Sequence, residues 1–229
     1  MSYIDALFDR KADRIHVVER VNGEREYKEF PANYVFYYDD PKGKFRTVYG
    51  SPVNRFSTRN GKEFQKEMRV NSGKKLWESD INPVFRCLEE NYLGQQSPKL
   101  QTCFFDIEVD FDPERGFSPP SDPFNAVTAI TVYNDWMDKL ITLAIPPKGL
   151  SWESAEELCK DFENCFLFER EEELLGTFLD LIEDADILSG WNSEGFDIPY
   201  LVMRIKRVLS NDDNRRWCLW GQLPKQRTF

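Results

Sequence analysis

The chain has 229 residues, of which 41% are hydrophobic and 14% aromatic, and its formal net charge is −10. This composition is typical of a folded globular protein and excludes a disordered chain. A single His and five Cys without a C-x-x-C pair argue against a structural zinc site and against protease-like chemistry. No apolar run is long enough to span a bilayer, and residues 1–10 lack the features of a signal peptide. We therefore expect a cytoplasmic protein without a membrane partner.

The first hundred residues predict a small β-rich domain. Asn22 and Gly23 form a strong hairpin signal between two strand patterns, and an aromatic strand follows Pro31. The loop-like composition of residues 94–98 predicts a domain boundary, which gives domains of residues 1–99 and 100–229. The predicted strands of the first domain cover residues 14–21, 24–30, 34–38 and 45–49, and its predicted helices cover residues 60–68 and 83–92.

Basic residues are concentrated between positions 42 and 75, where only two acids accompany them. Such a patch can hold the phosphates of a nucleic acid, although a solvated face of mixed charge is an equally acceptable interpretation. The candidate nucleic-acid contacts are Lys42, Lys44, Arg46, Arg55, Arg59 and Lys62.

The second half contains a strand pattern, residues 104–109, that two acids interrupt. Asp106 and Glu108 stand at positions i and i+2, so a strand places both carboxylates on the same face. Like charges this close favour a divalent cation with oxygen ligands. The alternative is an edge strand with two solvated acids.

The remaining elements follow in the order strand, strand, helix, strand, helix. The strand patterns cover residues 126–133, 140–145 and 186–190, a short further one covers 165–168, and the helical patterns cover 171–183 and 198–209. A sheet of this order predicts a mixed α/β (α+β) fold of the ribonuclease-H-like type, with the last strand beside the acidic one. Asp197 would then approach Asp106 and Glu108, although it could instead be the N-cap of the last helix.

Two segments resemble motifs of family B DNA polymerases. Residues 105–108, Phe-Asp-Ile-Glu, resemble the first exonuclease motif, and residues 190–200, Gly-Trp-Asn-Ser-Glu-Gly-Phe-Asp-Ile-Pro-Tyr, resemble the second. The short motif has low specificity, whereas the long string is highly specific. Residues 49–53 and 76–81 also resemble the N-terminal domain of the T-even-type phage members of this family. The resemblance therefore covers nearly the whole chain.

The resemblance implies a 3′→5′ proofreading exonuclease with a two-metal site for Mg²⁺ or Mn²⁺. By that likeness Asp106 bridges both ions, Glu108 binds the one that activates water, and Asp197 binds the other. Asn192 and Phe196 would contact the single-stranded 3′ end of DNA. A phage-encoded protein of this kind would act in the host bacterial cytoplasm.

One expected motif is absent from the sequence. The family's third exonuclease motif is a Tyr followed four residues later by Asp, but Tyr200 is the last tyrosine and Arg204 stands four positions after it. We therefore expect a C-terminally incomplete exonuclease domain, with the remainder of the polymerase as a separate chain or a missing C-terminal region. The alternative is a non-catalytic piece of a split phage polymerase that serves in assembly or binds nucleic acid, with RNA as the ligand of its N-terminal domain.

Overall fold

A computed structural model describes residues 2–225. The chain divides into two compact units, with the boundary between Lys99 and Leu100. The first unit contains two sheets and the second contains one, and each unit has its own buried apolar cluster. Across the described part of the chain, no helix combines the length and the apolar character needed to cross a bilayer.

The first sheet of the N-terminal unit is an antiparallel meander in the order β1-β2-β3. Its strands are β1 (Ser2–Asp9), β2 (Arg14–Val21) and β3 (Glu24–Pro31). The predicted hairpin is present, because Asn22 and Gly23 both adopt positive φ values of 53° and 91°, as a two-residue turn of this type requires. The sequence patterns did not predict β1, whose register is also interrupted by an irregularity between Tyr3 and Asp5.

The second sheet of this unit has the order β5-β6-β4-β7; the first helix of the unit packs against β6 and β4, whereas the second packs against β1 and β2 of the first sheet. Its strands are β4 (Tyr34–Asp39), β5 (Phe45–Arg46), β6 (Pro52–Thr58) and β7 (Leu76–Trp77), and the helices are α1 (Gly61–Val70) and α2 (Pro83–Tyr92). The prediction of one strand over residues 45–49 was wrong. The chain turns after Arg46, with the amide of Gly50 donating to the carbonyl of Thr47, and a second strand begins at Pro52.

The second unit contains a five-stranded mixed sheet in the order β11-β10-β9-β8-β12. β8, β9 and β10 form an antiparallel meander, whereas β11 and β12 pair in parallel with β10 and β8. This is the predicted mixed α/β class, with the last strand beside the acidic one. The elements are β8 (Thr102–Val109), β9 (Val127–Asn134), β10 (Lys139–Ala144), α3 (Trp152–Cys159), β11 (Cys165–Leu167), α4 (Glu171–Ile182), β12 (Ile187–Ser189) and α5 (Asp197–Val208).

One face of β8 forms the centre of the second core. Cys103, Phe105 and Ile107 are buried, and the ring of Phe105 lies 5.4 Å from that of Phe178 on α4. Phe104 on the opposite face is 46% exposed. The acidic strand is therefore buried on one side only, which is why it can carry charged residues on the other.

Candidate exonuclease site

Asp106 and Glu108 lie on the exposed face of β8. The strand alternates between buried and exposed residues from Cys103 to Glu108, so the two carboxylates share the face that the core does not cover. Their cross-strand partners on β9, Thr131 and Ala129, carry no charge. The predicted same-face arrangement of the two acids is present in the fold.

The end of β12 comes into close contact with β8. Ser189 pairs with Phe104, and the next residue, Gly190, has room for no side chain, because a Cβ there would stand 2.3 Å from the carbonyl oxygen of Phe105. Real Cβ contacts are never that short. Glycine at this position therefore allows the chain that follows β12 to leave the sheet directly beside the two acids.

A compact turn connects β12 to the helix that carries Asp197. Asn192 adopts a left-handed conformation with φ of 53°, and its carbonyl accepts hydrogen bonds from the amides of Gly195 and Phe196. Its exposed side chain lies over Gly195, where a Cβ would stand 2.5 Å from Oδ1 of Asn192. Because this short turn is all that separates β12 from α5, the position of Asp197 is fixed relative to β12.

Asp197 is the first residue of α5 and is buried against the acidic strand. Its side chain is 4% exposed, and its Oδ1 accepts a hydrogen bond of 3.3 Å from the amide of Ile107, the residue between Asp106 and Glu108. The alternative of an N-cap role was wrong, because the helix begins at Asp197 itself and Phe196 occupies the cap position without a side-chain hydrogen bond.

The charges of Asp197 and Asp106 interact in this arrangement. Burial raises the pKa of the Asp197 carboxyl above its usual value, and the negative charge of Asp106 raises this pKa further, while the hydrogen bond from the Ile107 amide lowers it. A cation near the carboxylates of Asp197 and Asp106 would favour the ionised form of Asp197. The all-oxygen donors suit hard divalent cations such as Mg²⁺ or Mn²⁺.

Glu108 shares the strand face of Asp106, but its side chain does not form a three-residue metal site with Asp106 and Asp197. Among residues 2–225, no three acidic, His or Cys side chains are arranged to hold a metal ion as they stand. The structure thus places Asp197 close enough to Asp106 for their charges to interact, with Glu108 exposed two strand positions beyond Asp106. The carboxylate oxygens of these residues are donors of the kind that a divalent ion binds.

The two predicted DNA contacts differ in exposure. Asn192 is exposed, whereas Phe196 is partly buried, with its ring 5.3 Å from that of Tyr200 and packed against the core of the unit. Trp191, beside Asn192, is 93% exposed.

A buried network joins α5 to the loop that follows β8, and the sequence patterns did not predict it. The hydroxyl of Tyr200 donates to the carbonyl of Asn125 at 2.8 Å and lies 2.5 Å from the hydroxyl of Ser118. Arg204 forms an ion pair with Glu171 of α4 and donates to the carbonyl of Pro123 at 2.9 Å. These contacts bind the loop to the helix of Asp197. Their partners are 33 to 82 residues apart in the chain, so no local pattern signals them.

The six predicted cations of the N-terminal unit are exposed but lie on different elements. Lys42 lies in a turn and Lys44 follows it, while Arg46 is on β5 and Arg55 is on β6. Arg59 precedes α1, and Lys62 lies within it and lines a separate cleft. Within residues 2–225, no acidic side chain lies within ion-pair distance of these six.

Comparison with known proteins gives consistent matches. The model of the DNA polymerase family B exonuclease domain matches residues 54–222. The DNA-directed DNA polymerase of Escherichia phage RB69 is 28% identical over 93% of this chain and 25% of its own length. That of Enterobacteria phage T4 is 23% identical over 92% of this chain and 26% of its own length. The chain spans about a quarter of the length of these relatives.

The family match begins within β6 of the first unit and extends beyond α5, so it includes both acidic motifs and the whole mixed sheet. It agrees with the ribonuclease-H-like fold that the strand order predicted and with the resemblance to phage polymerases. The chain belongs to the exonuclease-domain family of family B DNA polymerases.

Proposed function

We propose that this chain carries part of a two-metal 3′→5′ proofreading exonuclease site. The observation that supports it most directly is the buried carboxylate of Asp197. It accepts a hydrogen bond from the amide of Ile107, the residue that separates the two acids of β8. An acid held in this place, with a pKa raised by burial and by its neighbour Asp106, is typical of a site that receives a cation.

Asp106, Glu108 and Asp197 would hold the divalent ions, Mg²⁺ or Mn²⁺. Bound there, the ions would lower the pKa of water and neutralise charge on the scissile phosphate. The protein's own contribution is positional: β8 fixes two carboxylates on one face, and α5 holds the third against the same strand. Asn192 and Phe196, beside these acids, would contact the single-stranded 3′ end of DNA.

The test measures shortening of a 5′-labelled single-stranded oligonucleotide in the presence of Mg²⁺ or Mn²⁺. We expect a ladder of 3′-shortened products that Asp106→Ala reduces by at least about 100-fold, because a lost ligand removes transition-state stabilisation of about 2.7 kcal/mol or more. The matched control is Glu114→Gln, which removes an exposed carboxylate from the loop after β8 and should leave the rate unchanged.

Binding of Mn²⁺ to the purified chain is measured in parallel, because the third family motif is absent from this sequence. A folded chain without activity whose Mn²⁺ affinity falls in Asp106→Ala and in Asp197→Asn would retain the site and show that further residues are needed. Affinity that is the same in the wild type and in both variants would contradict the proposal.

A second candidate function is non-catalytic binding of nucleic acid, with RNA as one ligand, by the N-terminal unit of a polymerase assembled with its remainder. It is favoured by six exposed cations that have no acidic partner within ion-pair distance in the described residues. It predicts salt-sensitive binding that survives Asp106→Ala and weakens when Arg55 and Arg59 are changed to Gln. Nucleic-acid affinity that is unchanged after the loss of both charges would exclude this function.

A further inference from the structure

Two of the five cysteines lie together at one edge of the mixed sheet. Cys159 is the last residue of α3 and Cys165 is the first residue of β11, and both are half-buried free thiols. β11 is an edge strand, and it pairs in parallel with β10 through Cys165 and Thr142. Both cysteines line a cleft of about 1020 Å³, which is large enough for a small molecule to enter. The described lining of this cleft includes none of the exonuclease acids.

The connection between α3 and β11, residues 160–164, places the two cysteines side by side. The amide of Phe162 donates to the carbonyl of Cys159 at 2.9 Å, which turns the chain directly after the helix. At the other end Asn164 adopts a positive φ of 61°, and its carbonyl accepts a hydrogen bond of 3.0 Å from the amide of Thr142 on β10. The connection therefore reverses the chain, and its two ends, which carry the cysteines, return to the same cleft.

The two thiols interact directly. The pKa of the Cys165 thiol is raised to about 11, by burial and by the hydrogen bond and the charge of the neighbouring Cys159 thiol. A hydrogen bond between thiols acts only at short range, so the two sulfur atoms lie near each other. Burial also raises the pKa of Cys87, Cys103 and Cys218, but no thiol is among the groups that act on these three.

The surroundings of the pair indicate which chemistry it can perform. A catalytic thiol needs a neighbouring base, but His16, the one His of the sequence, lies on β2 of the other unit. A metal site needs further ligands, and within residues 2–225 no three acidic, His or Cys side chains are arranged to hold an ion as they stand. Two neighbouring thiols that a small molecule can reach can still be joined by oxidation.

We propose that Cys159 and Cys165 form a reversible disulfide by exchange with a low-molecular-weight disulfide, which makes this sheet edge a site of oxidative modification. The Cys159 thiolate first attacks one sulfur of the small disulfide and expels a small thiolate, which leaves a mixed disulfide on Cys159. The Cys165 thiolate then attacks the Cys159 sulfur and expels the second small thiolate. The two protein thiols lose two electrons and two protons, and the small disulfide is reduced to two thiols.

The environment of Cys165 determines the order of the two steps. Because the thiolate is the nucleophile, a thiol with a pKa of about 11 reacts slowly with a small molecule from solution. Its attack on the Cys159 sulfur occurs within the molecule, where the contact between the side chains provides a high effective concentration. The bond would fix the end of α3 to β11 and close residues 160–164 into a loop. In a reducing compartment such disulfides are typically transient and serve in redox sensing.

The test treats the reduced full chain with oxidised glutathione at about pH 8, where more thiolate is present, and then alkylates the remaining thiols. Trypsin cleaves after Lys160, between the two cysteines, so the disulfide joins the peptides of residues 149–160 and 161–170. We expect mass spectrometry to identify this linked pair of peptides as the main disulfide product. Treatment with dithiothreitol before alkylation should separate the two peptides.

Single variants separate the two steps. Cys165→Ser should stop the reaction at the mixed disulfide, so that Cys159 retains one glutathione that the wild type loses. In Cys159→Ser we expect the modification of Cys165 to be at least about tenfold slower than the oxidation of the wild type. The matched control is Cys218→Ser, which removes another half-buried thiol from the same unit and should leave the yield of linked peptides within about twofold.

Phenylarsine oxide tests the same contact without oxidation, because its arsenic is held tightly only when two thiols bind it together. It should bind the reduced wild type and Cys218→Ser at least about tenfold more tightly than Cys159→Ser or Cys165→Ser. The proposal is overturned if oxidised glutathione produces no link between the two peptides in the wild type, or if the disulfide joins another pair. Equal affinity of phenylarsine oxide for the wild type and both single variants also overturns it. None of these measurements depends on nuclease activity or on the exonuclease residues.

Discussion

At the scale of single residues, Asp197 combines a structural contact with an electrostatic disadvantage. It is 4% exposed and accepts one backbone amide, yet burial and the charge of Asp106 both raise its pKa. Because the folded protein binds this proton more tightly than the unfolded chain, stability should decrease as the pH rises from the unfolded value near 3.8 through the raised folded value. The buried negative charge of Asp197 therefore destabilises the metal-free protein, and a bound cation would offset this destabilisation.

The variant Asp197→Asn, measured in the presence of EDTA, tests whether the buried charge is destabilising. The amide oxygen of Asn can still accept the hydrogen bond from Ile107, whereas the buried charge is gone. We expect the same melting temperature as the wild type near pH 3, where the carboxyl is protonated, and a higher melting temperature than the wild type at pH 7. Thermal unfolding followed by circular dichroism at both pH values measures it. A variant that is less stable at pH 7 would show that the carboxylate is stabilising without metal.

At the scale of elements, the junction of β12 with β8 sets the position of the site. Local patterns predicted both strands, and they predicted α4 and α5 to within two residues at each end. They did not predict β1, β6 or α3. β1 and β6 mix polar and apolar residues without strict alternation, and only Ser2 and Val53 among their fifteen residues are buried. Such strands are stabilised by their neighbours in the sheet and not by their own composition.

Gly190→Ala tests the close approach of the two strands. The new Cβ would stand 2.3 Å from the Phe105 carbonyl oxygen, a backbone atom, so β12 has to move away from β8. We expect a loss of about 1–3 kcal/mol in the free energy of unfolding and weaker Mn²⁺ binding. The control is Gly176→Ala within α4, where no atom lies within 4 Å, and where we expect a gain of up to about 1 kcal/mol. Denaturant unfolding measures both, and equal effects would contradict the packing argument.

Tyr200→Phe tests the network between α5 and the loop after β8. The ring is completely buried, and removing its hydroxyl leaves the Ser118 hydroxyl and the Asn125 carbonyl without that partner. We expect a loss of about 1–3 kcal/mol and faster amide exchange in residues 116–125. Tyr133→Phe is the matched control, because its hydroxyl donates to the exposed Asp138, and we expect a change within about 0.5 kcal/mol. Unchanged exchange in the loop would show that the network does not hold it.

At the scale of the whole molecule, charge separates the two units. Residues 1–99 carry 18 Lys and Arg against 15 Asp and Glu, while residues 100–229 carry 12 against 25. The excess of acids therefore lies in the second unit, and the net charge of −10 conceals a basic first unit with a cationic cleft. Overall charge alone is misleading for a protein with this division.

Divalent ions should stabilise the second unit selectively. At Mg²⁺ concentrations of about 100 times the dissociation constant, a site that exists only in the folded state adds about 2.7 kcal/mol. We expect calorimetry to show a higher melting temperature for one transition and little change in the other. Asp106→Asn should abolish the increase, and NaCl at the same ionic strength is the control for screening. An increase that persists in the variant would indicate general screening of the acidic unit.

The sequence by itself determined the family motifs, the shared face of Asp106 and Glu108, the hairpin at Asn22 and Gly23, and the mixed α/β class. These depend on period-two and helical patterns and on turn residues, which are local properties of the chain. Only the tertiary structure decided the depth of Asp197, its bond to the Ile107 amide, and the loop network of Tyr200 and Arg204. Those features join residues tens of positions apart, and their energies depend on distance and burial, which the packed fold alone sets.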